Sequence, residues 1–364
     1  MSRLLKYCHA LASICLLLVC HAALSADIND LNARLQLWRA HAPTCLDPRT
    51  NIRFPSKVND DGSCNDGDMT LFDGLLCSAG EQAGCDAVAN AQLVSGEWKR
   101  SPRLASNPAL RQGDSFSPDM ALGLELWAVV RRSDPNALQR FQNWVNWLET
   151  SRRCALDLRP LATTCFLDVP KLCPDETVPG GCTIRPGDYA SLRDVMAPLG
   201  TTVPAPSSMP TFPSSLNIDT SRLGDWSFQT LSQNFVNWGL PNAWVSAQFN
   251  DPGFSQHLAA VTLSIFSHLP SYQSGANKLL LDQAAQILAS KQPKNPFFAL
   301  LAHQPTTTLI TLTLNACPAT ANDIPKDMSQ WMWERADNDS SNPQQHTMLW
   351  DCIFMGDLIL ASGQ

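Results

Sequence analysis

Aspartate stands at the start of three apolar segments of the sequence that are predicted to be helices. Asp68, Asp119 and Asp351 each lead such a segment. Unpaired backbone N–H groups and the helix dipole favour a carboxylate at a helix N-terminus, so capping accounts for any one of them. Their recurrence suggests a second hypothesis, in which parallel helices bring their N-terminal ends, and with them their leading carboxylates, around one opening.

Paired carboxyl groups of this kind are suited to glycoside hydrolysis. One group protonates the leaving oxygen, while the other activates water or attacks the sugar carbon from the opposite side. A like-charged neighbour raises the pKa of one of the two groups, which keeps it protonated as the acid. We predict Asp68 and Asp119 as this catalytic pair, with Glu125 and Glu334 as alternatives. Glu125 lies six residues after Asp119 and faces away from it, so an ion pair between helices is its expected role.

The segment around Asp68 resembles a known family. Residues 64–80 read Cys-Asn-Asp-Gly-Asp-Met-Thr-Leu-Phe-Asp-Gly-Leu-Leu-Cys-Ser-Ala-Gly. Asp-Gly-Asp leading into an apolar helix that closes in Leu-Leu-x-Ala-Gly is similar to a segment of secreted bacterial glucanases of the six-hairpin, (α/α)6-toroid type, the cellulase and chitosanase kind. The resemblance covers this segment alone. It implies that Asp66 and Asp68 face a sugar cleft, and it supplies no match for the family's catalytic glutamate.

Other side chains are predicted to contact the substrate. Indole rings stack on sugar faces as readily as they fill cores, and guanidinium groups bind carboxylates and phosphates. The alternatives are burial for the indoles, a solvated surface for the arginines, and a core or surface position for the histidine. The predicted binding set is Asp66, Trp98, Arg100, Arg103, His257, Trp331, Trp333, Glu334 and Asp351.

Composition and motifs argue against several other functions. Lys and Arg number 26 against 33 Asp and Glu, so there is no basic field that would attract nucleic acid. The nucleophile elbow, the zinc-protease motif, the phosphate loop and the dinucleotide glycine pattern are all missing from the sequence. The acidic loop at 59–68 lacks the final Glu of an EF-hand, and there is no Cys-x-x-Cys pair for zinc. We therefore predict no metal and no cofactor.

The N-terminus has the order of a secretory signal. Arg3 and Lys6 precede an apolar run, 11–19, and small residues follow as far as Ala26. We predict cleavage after Ala26 and a secreted or periplasmic mature chain without a membrane span. A retained anchor and a lipidated Cys20 are the alternatives, but the apolar run is short for a span.

The cysteines that remain after cleavage form an even set, which an oxidising compartment converts into disulfides. Sequence alone leaves the connectivity open, and pairing of neighbours is the simplest scheme. That scheme joins Cys45–Cys64, Cys77–Cys85, Cys154–Cys165, Cys173–Cys182 and Cys317–Cys352.

The elements that must position these side chains are predicted to be helices. Apolar residues recur with helical spacing, and Pro and Gly separate the segments. The predicted helices span 27–41, 69–79, 85–93, 118–130, 137–148, 234–249, 256–269, 277–290, 297–303 and 349–361. Only 309–314, where Thr alternates with apolar residues, predicts a strand.

Between 154 and 222 the chain is rich in Pro and Cys. We interpret this stretch as an excursion from a single domain, 27–364, because helices of similar character flank it. A linker between two domains is the alternative. The predicted fold is all-α, an (α/α)6 toroid-like array of helical hairpins with a Pro-rich, disulfide-pinned excursion.

The sequence thus predicts an exported glycoside hydrolase that acts on a polysaccharide by paired-carboxylate catalysis. Two alternatives remain. One is a lyase on an acidic glycan, in which Arg and His replace the second carboxylate. The other is a non-catalytic toroid that binds a glycan or a protein.

Overall fold

The computed structural model describes residues 28–110, 116–156, 167–173, 182, 184, 186–202, 239–340 and 343–362. The predicted signal peptide, 1–26, lies outside these ranges. The helices are α1 (28–41), α2 (Met69–Ser78), α3 (Gln82–Asn90), α4 (Pro102–Ser106), α5 (Pro118–Val130), α6 (Pro135–Thr150), α7 (Pro186–Met196), α8 (Gly239–Phe249), α9 (Phe254–Ser267), α10 (Gly275–Lys291), α11 (Pro296–Leu301), α12 (Thr306–Ala316) and α13 (Trp350–Ser362). The strands form three antiparallel pairs, β1 (Thr44–Asp47) with β2 (Ile52–Pro55), β3 (Lys57–Val58) with β4 (Cys64–Asn65), and β5 (Arg152–Leu156) with β6 (Leu167–Pro170).

Local sequence explains where several helices begin. α4, α5, α6 and α11 start with Pro at the first turn, where the missing N–H costs no hydrogen bond. The residues that precede three of them, Ser101, Asp134 and Asn295, accept hydrogen bonds from the first-turn amides. For α5, α6 and α11 the predicted and observed starts agree to within two residues, whereas α4 was not predicted.

The most apolar helices form the centre of the molecule. α2, α5, α9 and α13 are buried around most of their circumference, whereas α6 buries one side only. α2 packs against α3 and α5, α5 against α9, α9 against α11, and α11 against α13. α13 in turn packs against α2, so this series of contacts returns to its start.

Two glycines set the close crossing of α2 and α5. A Cβ built on Gly74 would lie 2.2 Å from the carbonyl oxygen of Gly123, and one on Gly123 would lie 2.4 Å from the Cα of Leu71. Any larger residue would push the helices apart. Because both glycines lie shortly after the helix starts, the crossing holds the two N-terminal ends next to each other.

The prediction of a strand at 309–314 is wrong, because these residues lie in α12. Alternating Thr and apolar residues suggested a strand, but the hydroxyls of Thr311 and Thr313 donate to carbonyls four residues earlier, each at 2.8 Å. Leu309, Ile310 and Thr313 then bury one side of the helix.

The described part of the 154–222 excursion contains β6, α7 and the end of β5.

Four disulfides occur within the described residues, and each follows the predicted pairing of neighbours. They are Cys45–Cys64, Cys77–Cys85, Cys173–Cys182 and Cys317–Cys352. The predicted Cys154–Cys165 bond involves a residue outside the described ranges. Such bonds are typical of oxidising compartments. Within the described part of the chain, no helix combines the length and the apolar character that crossing a membrane requires.

Candidate active site

Asp68 lies at the N-terminal end of α2 but does not cap it. Its backbone is left-handed, with φ 63°, and its side chain makes no capping hydrogen bond. The carboxylate instead accepts a 2.9 Å hydrogen bond from Nη1 of Arg100. The Asp68 side chain is 32% exposed and that of Arg100 is 22% exposed, so the pair reaches solvent. Capping therefore does not account for Asp68.

The segment that carries Arg100 is fixed to the first turn of α2. The Thr70 amide donates to the carbonyl of Arg100 at 2.8 Å, and the Thr70 hydroxyl donates to the carbonyl of Lys99 at 2.7 Å. Further along the same segment, Arg103 binds the carboxylate of Asp66 with two of its nitrogens, Nε at 3.2 Å and Nη2. The two predicted arginines therefore hold the two predicted aspartates of the Asp-Gly-Asp motif.

Asp119 lies in the neighbouring helix, α5, near Asp68. It lies in the first turn of α5, whose N-terminal end the glycine crossing holds beside that of α2. Burial raises the pKa of the Asp119 carboxyl, a hydrogen bond with Ser117 opposes this shift, and the charge of Asp68 adds to it. The two aspartates predicted as a catalytic pair thus lie within electrostatic reach of each other.

A third carboxyl group reaches this place from a distant part of the chain. The short helical turn Met332–Glu334 follows a segment that pairs with β3, where Val58 and Met328 exchange backbone hydrogen bonds of 3.2 and 3.0 Å. Trp331 then stacks on Phe72 of α2, with ring centroids 4.8 Å apart and planes inclined by 8°. These contacts bring Glu334 to the N-terminal end of α2.

The environment of Glu334 favours its protonated form. Burial raises the pKa of the Glu334 carboxyl to about 7; the charges of Asp68 and Asp119 contribute to the rise, and Lys57 and Arg335 oppose it. Its Oε2 is buried and has no hydrogen-bond partner among the described residues. Asp68, Asp119 and Glu334 are referred to below as the acid cluster.

Lys57 of β3 adds a buried cation beside the acid cluster. Its side chain is 6% exposed, and its Nζ lies 5.2 Å from the ring centroid of Phe72. Burial lowers the pKa of the Lys57 amine, and the charges of Asp68 and Glu334 oppose this shift. Lys57 was not selected from the sequence, because a single lysine in a two-residue strand belongs to no motif.

Asp351 stabilises the turn that carries Glu334 of the acid cluster. Its fully buried carboxylate accepts hydrogen bonds from the Met332 amide at 2.9 Å, the Thr347 hydroxyl at 2.5 Å and the Cys352 amide at 2.8 Å. Its carbonyl accepts one from the Trp333 indole at 2.7 Å. Asp351 thus holds the turn that presents Glu334. Burial raises the pKa of the Asp351 carboxyl to about 6.

The other predicted binding residues lie in the core. Trp98, Trp331 and Trp333 are buried, and the Trp98 indole donates to the Val88 carbonyl at 2.7 Å. His257 is also fully buried, and burial lowers its pKa to about 3, so the ring is neutral. These rings are buried instead of exposed, because indole and imidazole rings carry enough apolar surface to fill a core.

Glu125 makes a helix–helix contact of a different kind from the one predicted. It accepts a 3.0 Å hydrogen bond from the Ser191 hydroxyl of α7 instead of forming an ion pair. Its charged neighbours are the acids Asp188 and Asp194, and burial raises the pKa of the Glu125 carboxyl well above its usual range. Burial and the acidic surroundings therefore favour the protonated form of Glu125.

The structure defines a predominantly helical, disulfide-braced protein with an acid cluster at the meeting point of two helix N-termini and a distant turn. Comparisons of the chain with family models, with curated proteins and with solved structures find no match. Within the described residues, no group of three or more His, Cys, Asp or Glu side chains has an arrangement that could hold a metal ion.

We expect Asp351→Asn to lower the free energy of unfolding by about 1–3 kcal/mol, because the amide replaces one acceptor oxygen with a donor. The loss should depend on pH. The raised pKa of Asp351 means that the wild type loses stability as pH rises from about 4 to about 6, and the variant lacks this contribution. Urea denaturation at pH 4 and pH 7 should show a smaller difference at pH 7. The exposed Asp30→Asn serves as control, and an equal difference at both pH values would contradict the account.

Proposed function

We propose that the protein is a glycoside hydrolase that cleaves a polysaccharide with the acid cluster. One observation carries the proposal: three carboxyl groups from separate elements share one environment, in which burial and two neighbouring aspartates raise the pKa of Glu334 to about 7. Carboxyl groups whose environments separate their pKa values are what acid and base roles at neutral pH require.

Glu334 is assigned as the general acid. Its Oε2 has no hydrogen-bond partner within the described residues, so no protein acceptor competes there for the proton that we assign to the substrate oxygen. Transfer of that proton to the glycosidic oxygen accompanies cleavage of the bond between this oxygen and the anomeric carbon. The departing sugar leaves as a neutral alcohol, and Glu334 is left as a carboxylate.

Asp119 is assigned as the base. It takes a proton from the water that adds to the anomeric carbon, which completes the hydrolysis. Asp68 is engaged by Arg100 at 2.9 Å, so we assign it to stabilising positive charge on the sugar ring and not to accepting a proton. This scheme keeps the predicted aspartates in the reaction and moves the acid role to Glu334.

The packing of the central helices supports a toroid-like arrangement. Contacts run from α2 through α5, α9, α11 and α13 and return to α2. We propose that these five helices belong to the inner ring of an (α/α)6 toroid-like fold, with the intervening helices outside. In such a ring the inner helices run parallel, and the adjacent N-termini of α2 and α5 agree with this. The four disulfides support export to the periplasm or the exterior.

A lyase acting on an acidic glycan is the second candidate. The charges of Lys57, Arg100 and Arg335 lie close together, and a buried amine with a lowered pKa is suited to removing a proton beside a uronate carboxylate. Lysis yields unsaturated products that absorb ultraviolet light, whereas hydrolysis incorporates oxygen from water. Products formed in isotopically labelled water distinguish the two reactions.

The test is a panel of neutral and acidic polysaccharides assayed for released reducing ends. We expect Asp119→Asn to reduce kcat about 10²–10⁴-fold, because the base is lost. Asp134→Asn is the control: Asp134 also leads a helix, but it caps α6 and pairs with Arg131. Release of reducing ends by neither wild type nor control, together with retained glycan binding, would favour a non-catalytic binding protein.

The pH dependence of kcat/KM provides an independent check. Since the acid must carry a proton, we expect activity to fall as pH rises through about 7, the pKa of Glu334. On the acidic side, activity should fall where Asp119 becomes protonated. A profile that stays flat up to pH 9 would rule out Glu334 as the acid.

A further inference from the structure

Lys57 is buried and forms no hydrogen bond or ion pair within the described residues. The residue is 6% exposed. Its Nζ lies 5.2 Å from the centroid of the Phe72 ring, and the charges of Asp68 and Glu334 act on it without forming an ion pair. Burying an ammonium in this way is unfavourable unless something compensates the charge. Functional sites are the usual places where such groups are retained.

The Lys57 amine and the Glu334 carboxyl lie within electrostatic reach of each other. Each changes the pKa of the other, yet no ion pair joins them. Oε2 of Glu334 is buried and lacks a partner within the described ranges. A protonated carboxyl and an ammonium both donate hydrogen bonds, so the two groups together are suited to oxygen acceptors on one ligand.

The other cations nearby already have carboxylate neighbours. Nη1 of Arg100 donates to Asp68 at 2.9 Å, and Nη1 of Arg335 lies 3.9 Å from Asp339. The backbone of Gly67 borders the amine, since a Cβ there would lie 3.4 Å from Nζ of Lys57. Lys57 differs from these two arginines because it forms no ion pair within the described residues, so a bound carboxylate can supply one.

We propose that Lys57 binds the carboxylate of a uronic acid unit, which makes an acidic polysaccharide the substrate of this site. The inference rests on the proposed function and narrows its substrate class. A carboxylate compensates a buried ammonium through a charge-assisted hydrogen bond, and a neutral sugar hydroxyl does so less well. The carboxylate on Lys57 places the adjoining glycosidic oxygen beside Glu334.

The experiment compares uronate polymers (pectate, alginate and a glucuronic acid polymer) with the same polymers after chemical reduction of their carboxyl groups. Wild type should show a kcat/KM at least about 30-fold higher on one acidic polymer than on its reduced form. Lys57→Met should lower that ratio at least about tenfold, and Lys57→Arg, which keeps the charge, should retain most of it. Thermal melts verify that both variants fold.

Two results would overturn the inference and leave the hydrolase intact: equal cleavage of acidic and reduced polymers by wild type, or an unchanged ratio in Lys57→Met. Cleavage of a sulfated glycan alone would also overturn it. A binding measurement distinguishes failure of this inference from failure of the proposed hydrolase function. Calorimetric titration of a galacturonic acid trimer should show binding to Glu334→Gln that is lost in the Lys57→Met, Glu334→Gln double variant. Equal binding of the carboxyl-reduced trimer would contradict the assignment of Lys57.

Discussion

Replacing Glu334 by Gln is expected to reduce kcat by about 10²–10⁴-fold while the protein remains folded. The amide matches the shape of the carboxyl group but has no acidic proton to transfer. Because Oε2 of Glu334 has no partner within the described residues, the substitution breaks no hydrogen bond at that atom. Reducing-end release on the active polysaccharide measures the loss.

The same variant should be more stable than wild type at alkaline pH. Folding raises the pKa of Glu334 from 4.5 to about 7, so ionisation of the group destabilises the folded state progressively from about pH 4.5 to pH 7. The variant escapes this penalty, which amounts to roughly 3 kcal/mol above pH 7 and nothing below pH 4.5. Urea denaturation at pH 4 and pH 8 measures both limits.

Glu81→Gln provides the matched control. Glu81 pairs with Arg39 and caps α3, and it should give neither the loss of activity nor the gain at pH 8. An inactive variant that is more stable is the expected signature of a strained functional carboxyl. Full activity of Glu334→Gln, or equal stability at pH 8, would contradict the role given to Glu334.

Replacing Gly123 by Ala is expected to destabilise the protein by about 1–3 kcal/mol and to lower activity at the same time. Elsewhere in a helix this change is stabilising, by about 0.5–1 kcal/mol. Here the new Cβ would lie 2.4 Å from backbone atoms of Leu71 and Thr70, which cannot rotate away. α2 and α5 must therefore separate, and Asp68 moves relative to Asp119.

Gly356→Ala of α13 distinguishes this effect from general overpacking. The Cβ added there would meet Leu35 at 2.6 Å, but only through side-chain atoms, which can adjust. We expect a smaller loss of stability and activity close to wild type. If Gly123→Ala were as stable and active as wild type, the helix crossing would not be what positions the acid cluster.

The helices could be predicted because their information is local. Apolar residues with helical spacing and Pro at the first turn indicate α5 and α6. Cys77 and Cys85, which are neighbours among the cysteines, form a disulfide across eight residues. α12 was mispredicted because Thr suits a strand by its branched side chain and a helix by its hydroxyl. The deciding contacts, burial of Leu309 and Ile310, are tertiary.

Sequence analysis selected two aspartates of the acid cluster, but it could not give the arrangement of the cluster. Asp68 and Asp119 stand out because acids lead apolar helices, a local pattern. The segment that carries Glu334 is positioned by a backbone bridge to β3 and by the hydrogen bond from the Met332 amide to Asp351. The first of these contacts joins residues far apart in the chain. Lys57 carries no local signal at all. The indoles were ambiguous because the same ring serves a core and a sugar platform.

We infer that Asp68, Asp119 and Glu334 share one environment. An NMR titration of the Glu334 side-chain carboxyl carbon tests this in wild type, Asp68→Asn, Asp119→Asn and the control Asp282→Asn, whose carboxylate pairs with Lys278 on α10. We expect a pKa of about 7 in wild type and control, and a lower pKa in both cluster variants, because a charge that raises the pKa is removed. A pKa near 4.5 in wild type, or one that neither cluster substitution changes, would contradict it.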